Sequence, residues 1–440
     1  MKVTKLAMGA LSLLALTAAA QAQSTTLTIG TVNNNDMIVM QSLSGEFEKA
    51  NPDVKVNWVT LEENVLRQRV TTDIATKGGQ FDIMTIGTYE VPIWSKQSWL
   101  TPLDNLGSDY DADDLLPPIR NALSTDGKLY AAPFYAESVM TMYRKDLLDK
   151  AGLKMPEKPT WDFIAQAAEK MTDKSAGVYG ICLRGKPGWG ENMAFLGNMA
   201  REFGSNYFDA SWKPQFESEG WKKAVTLYVD LMTKYGPPGA ASNGFNENLS
   251  LFGQGKCGMW MDATVAASFV TDPKQSQVPD KVGFAPAPCG TDNCPNQGAN
   301  WLWAWSLAIP ASSQKKEAAE KFISWATSKS YIDLVAKEKG LSNVPPGTRQ
   351  SLYKNADYLK AAPFAQQTIN SINNADPSAS ADKPYVGLQF AAIPEFQGLG
   401  TAIGQQMAAA LSGSATVDQA LKAAQSQATR EMTRAGYIKK

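Results

Sequence analysis

Histidine is absent from all 440 residues. That absence excludes Ser-His-Asp and Cys-His catalysis, the histidine-containing zinc sites and any imidazole pH switch. An excess of either charge is also lacking: 42 Lys and Arg stand against 43 Asp and Glu, with no long run of one sign. Such a balance excludes nucleic acid or an anionic membrane surface as the main partner. Membrane-length apolar runs are missing too, since the stretch from Leu6 to Leu16 falls well short of the roughly 20 residues that span a bilayer. What is present is a globular composition, 44% hydrophobic and 19% charged, on a chain long enough for two domains with sizeable cores. An enzyme would have to work with carboxylates alone.

The N-terminus has the three-part layout of a secretory signal: Lys2 and Lys5, then the apolar stretch, then small residues ending in Ala20-Gln21-Ala22. Cleavage is expected after Ala22, so residues 1–22 are an address and the mature chain is periplasmic. No cysteine stands at the cleavage point, so no lipid anchor is expected there. Export opens disulfide chemistry to Cys182, Cys257, Cys289 and Cys294, which allow three pairings. Cys289 and Cys294 share a turn-rich segment between Pro288 and Pro295 and are expected to close a local loop. Cys182 and Cys257 each fall in or beside a strand-like segment, where a second bridge and a pair of buried thiols are both open.

The mature chain opens with an apolar alternation, Thr26 to Gly30, followed by the polar run Asn33 to Asp36. A helical pattern then runs through Phe47 and stops at Asn51-Pro52. Val54, Val56 and Trp58 alternate as a strand, Glu63 to Thr76 reads as a helix, and Phe81 to Ile86 as a buried strand. That order predicts a parallel sheet covered by helices, with ligands at the carboxyl ends of its strands. The alternation resumes with strand-like 178–183, 258–261 and 282–285 and a helix over 219–234. Trp301 to Ile309 predicts a strand buried on both faces, and Ser312 or Ser313 is expected to cap the helix after it. The tail from Pro394 is mostly helical in pattern. Two α/β lobes fit this organisation better than one large sheet.

Several motifs fail on inspection. Asp109 to Asp114 begins like a calcium loop, but the sixth position is Asp114 where glycine is wanted, and the twelfth is Arg120 where a bidentate Glu is required. A solvated acidic turn is the expectation. The Gly-Lys pair at 255–256 lacks the rest of a phosphate-cradling loop, and the glycines at 398, 400 and 404 miss the dinucleotide spacing. Glu137 and Asp262 could pair as glycosidase carboxylates, but carboxylates equally accept hydrogen bonds from sugar hydroxyls. The twelve tryptophans are more informative. Trp94, Trp189 in a glycine-rich loop, and Trp301, Trp303 and Trp305 sit where stacking platforms for sugar C–H faces would be. Trp58, Trp161, Trp260 and Trp325 read as core. Successive strand residues face opposite ways, and one or two of the three tryptophans at 301–305 are expected to be structural.

Several segments together resemble one family, the sugar-binding proteins of bacterial ABC importers that include maltose-binding protein. The resemblance rests on Phe47-Glu48-Lys49-Ala50-Asn51-Pro52, Phe81-Asp82-Ile83-Met84, the segment Gly127 to Phe134 leading into Tyr143 to Leu148, Pro159-Thr160-Trp161-Asp162, and Leu307-Ala308-Ile309-Pro310. Within the family the chain is similar to the sorbitol- and mannitol-binding members, on Thr60 to Gln68, Cys182 to Lys186, Gly188 to Met193, Asn300 to Ser306 and Ile393 to Gly398.

The resemblance implies an α/β fold of two lobes closing over ligand, each lobe a mostly parallel sheet flanked by helices. The segments would be 23–135 and 301–343 in the N-lobe, and 136–300 and 344–440 in the C-lobe. It places ligand contacts on Asn34, Asn35, Tyr89, Glu90, Glu137, Arg184, Trp189, Glu191, Asp262, Asn300 and Trp301. It implies a monomer that hands a hexitol or related monosaccharide to the importer's transmembrane subunits, with no catalytic residue, metal or cofactor. The family's C-terminal aromatic platform falls on Leu399, Gly400 and Thr401, so that platform is absent and a ligand smaller than a malto-oligosaccharide follows. The alternatives are a disaccharide or polyamine binder and a secreted carboxylate-only glycosidase.

Overall fold

The structure, a computed structural model, describes residues 24–291 and 298–439. The leader 1–22 and Cys294 lie outside the described residues, so the expected Cys289–Cys294 closure does too; Cys289 itself is disulfide-bonded. Strand β1 (Thr25–Val32) pairs in parallel with β2 (Val54–Leu61) and with β3 (Ile83–Ile86), which sets Ile29 between Trp58 and Ile83. Helices α1 (Asn35–Ala50) and α2 (Glu63–Thr76) make the crossovers, and the short α3 (Glu90–Trp94) follows β3. α1 buries Met37, Met40, Leu43 and Phe47, one stripe of a helix, and stops at Asn51 because Pro52 disfavours helical backbone before it. α2 starts where the Glu62 carboxylate accepts from the Val65 amide and ends at Lys77 in the left-handed region, φ 54°.

A small hairpin, β4 (Ser124–Thr125) and β5 (Lys128–Leu129), precedes β6 (Ala132–Glu137). Then come β7 (Val139–Arg144), β8 (Tyr179–Cys182), β9 (Cys257–Ala263), β10 (Val282–Ala285) and β11 (Trp303–Ala308). They form two sheets, β2-β1-β3-β11-β6 and β10-β7-β9-β8, one in each lobe. Each sheet contains one reversed strand. β11 runs antiparallel to both β3 and β6, and β7 runs antiparallel to both β9 and β10. These are the strands that arrive from the other lobe: β7 follows β6 through Ser138 alone, and β11 follows β10. Apart from them the strands of each sheet share a direction, and β11 is buried along its whole length as its apolar run predicts.

Four helices, Asn192–Glu202, Glu219–Tyr235, Phe396–Leu411 and Val417–Arg434, pack together beside the second sheet. The Cys182–Cys257 disulfide ties β8 to β9 there, which decides the second pairing. Two expectations need correction. The helix after β11 begins at Lys316, with Lys315 as its cap. Ser313 instead accepts from the Lys315 amide and donates to Asp82 at 3.3 Å, so its hydroxyl shapes the turn before the helix. The acidic turn is not simply solvated. Asp111 meets Lys329 at 2.6 Å, and Asp114 accepts from the Ser351 hydroxyl at 2.6 Å, pinning the turn to the C-terminal segment.

Candidate functional site

The carboxyl end of β6, the start of β11 and the segment after β8 meet between the lobes around a cleft. From the first sheet's side come Asn34, Glu63, Arg67, Tyr135, Glu137, Trp303 and Trp305; from the other come Arg184, Trp189 and Phe245, with Trp301 and Gln389 at the crossing. The lobes touch across it. Asn64 donates to the Pro187 carbonyl at 3.1 Å, Lys186 meets Glu62 at 2.6 Å, and Asn246 donates to Asn33 at 3.4 Å. A Cβ on Gly190 would overlap the Glu63 carboxylate, which would then have to shift. The conformation is closed.

Two arginines dominate the walls, and both are neutralised by the protein. Arg67 on α2 donates to Glu63 at 2.9 Å and to Glu90 at 2.8 Å, all three being buried. Its guanidinium lies 4.0 Å from the Trp189 ring centre and 4.6 Å from those of Trp303 and Trp305. Arg184 makes a forked pair with Asp262, at 2.5 and 2.9 Å, and donates to the Gly190 carbonyl at 2.7 Å. Asp262 also accepts from the Trp260 indole at 3.0 Å and the Ala263 amide at 2.7 Å, so its acceptor capacity is used within the wall.

The groups left for a guest are different ones. Glu137, 7% exposed at the end of β6, takes no hydrogen bond from a described residue, and burial pushes its carboxyl well above the usual range. The indole N–H groups of Trp301 and Trp303 are buried without an acceptor. Asn34 donates to the Tyr135 hydroxyl at 2.8 Å and stands beside them. Burial also raises Glu191, behind Arg184, to about 8, with Arg184 pulling against it. It raises Asp36, behind Asn34, to about 7. The cleft is therefore lined by compensated charges and carboxylic acids, with few free ions.

Of the residues singled out from the sequence, Asn34, Glu137, Arg184, Trp189 and Trp301 line the cleft together. The others stand behind or beside it. Glu90 holds Arg67 and the Gly87 amide. Tyr89 donates to the Ile393 carbonyl at 2.9 Å and packs on Trp189. Glu191 and Asp262 hold Arg184. Asn300 is buried beside Trp301, and its carbonyl accepts from Arg201. Asn35 sits at the rim, donating to Gln275 across the lobes. Trp94 is buried away from the cleft.

Trp301, Trp303 and Trp305 all line the cleft, against the expectation that one or two would be structural. Residues two apart on a strand share a face, so this spacing keeps all three on one side. Glu63, Arg67, Tyr135, Phe245 and Gln389 were not singled out as site residues. For Glu63 and Arg67 a signal existed: with Val70 and Ile74 they continue a stripe that α2 buries. Gln389, in a loop, carried none.

The model of the bacterial extracellular solute-binding protein family matches residues 34–333. The chain belongs to that family. Among its relatives is a mannitol-binding protein of Pseudomonas aeruginosa, 56% identical over 416 residues, which cover 94% of this chain and 94% of that one. A solved ABC-transporter solute-binding protein of Agrobacterium vitis, with bound D-mannitol, is 67% identical over 94% of this chain and 99% of its own, with a TM-score of 0.92. A ribitol-bound counterpart from Agrobacterium radiobacter is 26% identical, with a TM-score of 0.81 over 93% and 99% of the chains. Family members share the extracellular solute-binding role, and the two-lobed α/β fold is that of these structures.

Proposed function

We propose that the chain is the periplasmic solute-capture component of an ABC importer, that it binds a hexitol such as mannitol or sorbitol, and that it catalyses nothing. One observation carries the reading: a cleft between the lobes in which unpaired hydroxyl-matching groups converge while both arginines are already neutralised. A polyol hydroxyl both donates and accepts, so it can donate to Glu137 and accept from the indole N–H of Trp301 or Trp303. Among the described residues lining the cleft an anion finds no free cation, and a polyamine meets two arginines at the walls. The mannitol-binding relatives, at 56% and 67% identity, support the same ligand class.

Direct contact falls to Asn34, Glu137, Arg184, Trp189 and Trp301, joined by Tyr135, Trp303 and Gln389. Glu90, Glu191, Asp262, Tyr89 and Asn300 position that wall. A glycosidase built on Glu137 and Asp262 is disfavoured because Asp262 is bound into the wall by three donors. The lobes are taken as residues 23–135 with 301–343 and residues 136–300 with 344–440, moving about the crossings near Ser138 and Trp301. Residues 1–22 serve as the cleaved export signal.

The test is a thermal-shift and calorimetry panel of mannitol, sorbitol, ribitol, maltose and spermidine on the mature chain. Ligand at 100 times its dissociation constant adds about 2.7 kcal/mol of stability. A hexitol is expected to give the largest shift. A response confined to maltose or spermidine would overturn the ligand class.

A further inference from the structure

Lys383 lies in the loop between the helices Ala365–Asn373 and Phe396–Leu411, and it is 7% exposed. A buried ammonium normally finds a carboxylate. This one has no carboxylate within salt-bridge reach among the described residues. It donates to three backbone carbonyls, Pro377 at 3.2 Å, Tyr385 at 2.9 Å and Gly387 at 2.9 Å. The three N–H donors of the ammonium are thereby all used, in the way a hard cation gathers carbonyl oxygens. Within the loop, Gly387 donates to the Pro377 carbonyl at 2.8 Å and Ser380 exchanges backbone bonds with Lys383, while Tyr385 anchors it from outside by packing on Tyr207, Phe208 and Trp212.

Immediately after this knot the chain enters the cleft. Gln389 donates to the Leu302 carbonyl at 3.0 Å and lines the site. Phe390 packs against Trp189 at 5.6 Å and Trp303 at 6.1 Å between ring centres. We propose that Lys383 serves as a built-in cation that holds the 377–387 loop together and so sets Gln389 in the cleft wall and Phe390 behind Trp189 and Trp303, a positioning residue for ligand capture. The binding half of this inference rests on the polyol reading; the folding half does not.

The charges facing the ammonium are Arg201 from the helix Asn192–Glu202, which repels it, and Asp376 on its own loop, which favours it; the Tyr385 ring lies 5.0 Å away. Burial, with Arg201 adding to it, brings the ammonium down to about 8. Above that pH the neutral amine has two donors for three carbonyls, and one of the three bonds that gather the loop is lost.

The experiment compares wild type, Lys383→Arg and Lys383→Met. Amide exchange of residues 377–391 is followed by mass spectrometry, and mannitol affinity by calorimetry, at pH 7 and pH 9. With rates corrected for the intrinsic pH dependence of amide exchange, expected are lower protection of this segment in Lys383→Met, the same loss of protection in wild type on going to pH 9, and partial retention of protection by Lys383→Arg. Mannitol binding by Lys383→Met is expected to weaken roughly tenfold, the order associated with one lost buried hydrogen bond. Glu191 titrates in the same window, so the difference between wild type and Lys383→Met isolates the lysine. Unchanged protection of 377–391 in a folded Lys383→Met, or in wild type at pH 9 should that variant not fold, would overturn the proposal. Failure of wild type to bind mannitol at pH 7 would overturn the ligand reading alone, because the exchange measurement needs no ligand.

Discussion

Arg67 of the first lobe lies over the ring of Trp189 of the second, with 4.0 Å between guanidinium carbon and ring centre. Both are nearly fully buried, and the guanidinium is fixed from behind by Glu63 and Glu90. The contact exists only with the lobes together, so the ligand cleft is partly walled by the closing contact itself.

Removing that cation leaves two buried carboxylates facing one another. Arg67→Met is expected to destabilise the protein by about 3–5 kcal/mol, the scale for breaking a buried pair from one side. Urea unfolding measures it. A loss below 1 kcal/mol would mean that Glu63 and Glu90 reach water or take up protons.

Glu137 and Asp262 separate contact from support. Glu137→Ala is expected to abolish most hexitol binding while the ligand-free melting temperature stays near wild type, because no described residue hydrogen-bonds to that carboxylate. Asp262→Ala strands Arg184 and is expected to lose stability along with binding, by about 3–5 kcal/mol. Calorimetry beside thermal melts distinguishes the two. Unfolding of ligand-free Glu137→Ala would mark Glu137 as a structural part of the hinge.

The buried acids set a pH trend. Burial raises Asp36 to about 7, far above its unfolded value of 3.8, so the folded state holds the proton more tightly. The stability this gives is complete below the unfolded value and is lost as pH rises through about 7. Glu137 and Glu191, raised in the same direction by burial, extend the trend upward. Ligand-free protein is therefore expected to melt at a higher temperature at pH 5 than at pH 8, and Asp36→Asn to flatten the slope. A flat profile in wild type would show these acids ionised in the fold.

The pair between Lys186 and Glu62 joins the lobes at the partly exposed rim. Lys186→Ala is expected to cost less than about 1 kcal/mol of stability, the range for solvent-screened pairs. Its effect on hexitol affinity should fade as salt rises, which titrations at low and high ionic strength would show.

Local features were legible in the chain wherever a short-range rule decided them. The stripe of α1, its stop before Pro52, the bounds of α2 and the full burial of β11 all follow from spacing within a few residues. The reversed strands were not legible, because direction in a sheet depends on which lobe a strand comes from. At the site, Glu137 and Trp189 could be named from their neighbourhood in a resembling pattern. Asp262, Glu191 and Glu90 were legible as important carboxylates but not as supports, since only the fold shows that arginines and backbone amides already occupy them. Gln389 entered through a loop held by Lys383, a relationship with no periodic trace.

The position of β11 sets a timetable for the first lobe. That strand lies between β3 and β6, and β6 pairs with no other strand of the sheet. As the chain emerges from its N-terminus, β1, β2 and β3 can assemble early, but β6 has no edge to join until residues 303–308 appear. By then the strands of the second sheet are already out. Any chain cut short before Ala308 leaves β3 with an open edge, and the second lobe waits longer still, for the helices Phe396–Leu411 and Val417–Arg434 that pack beside its sheet.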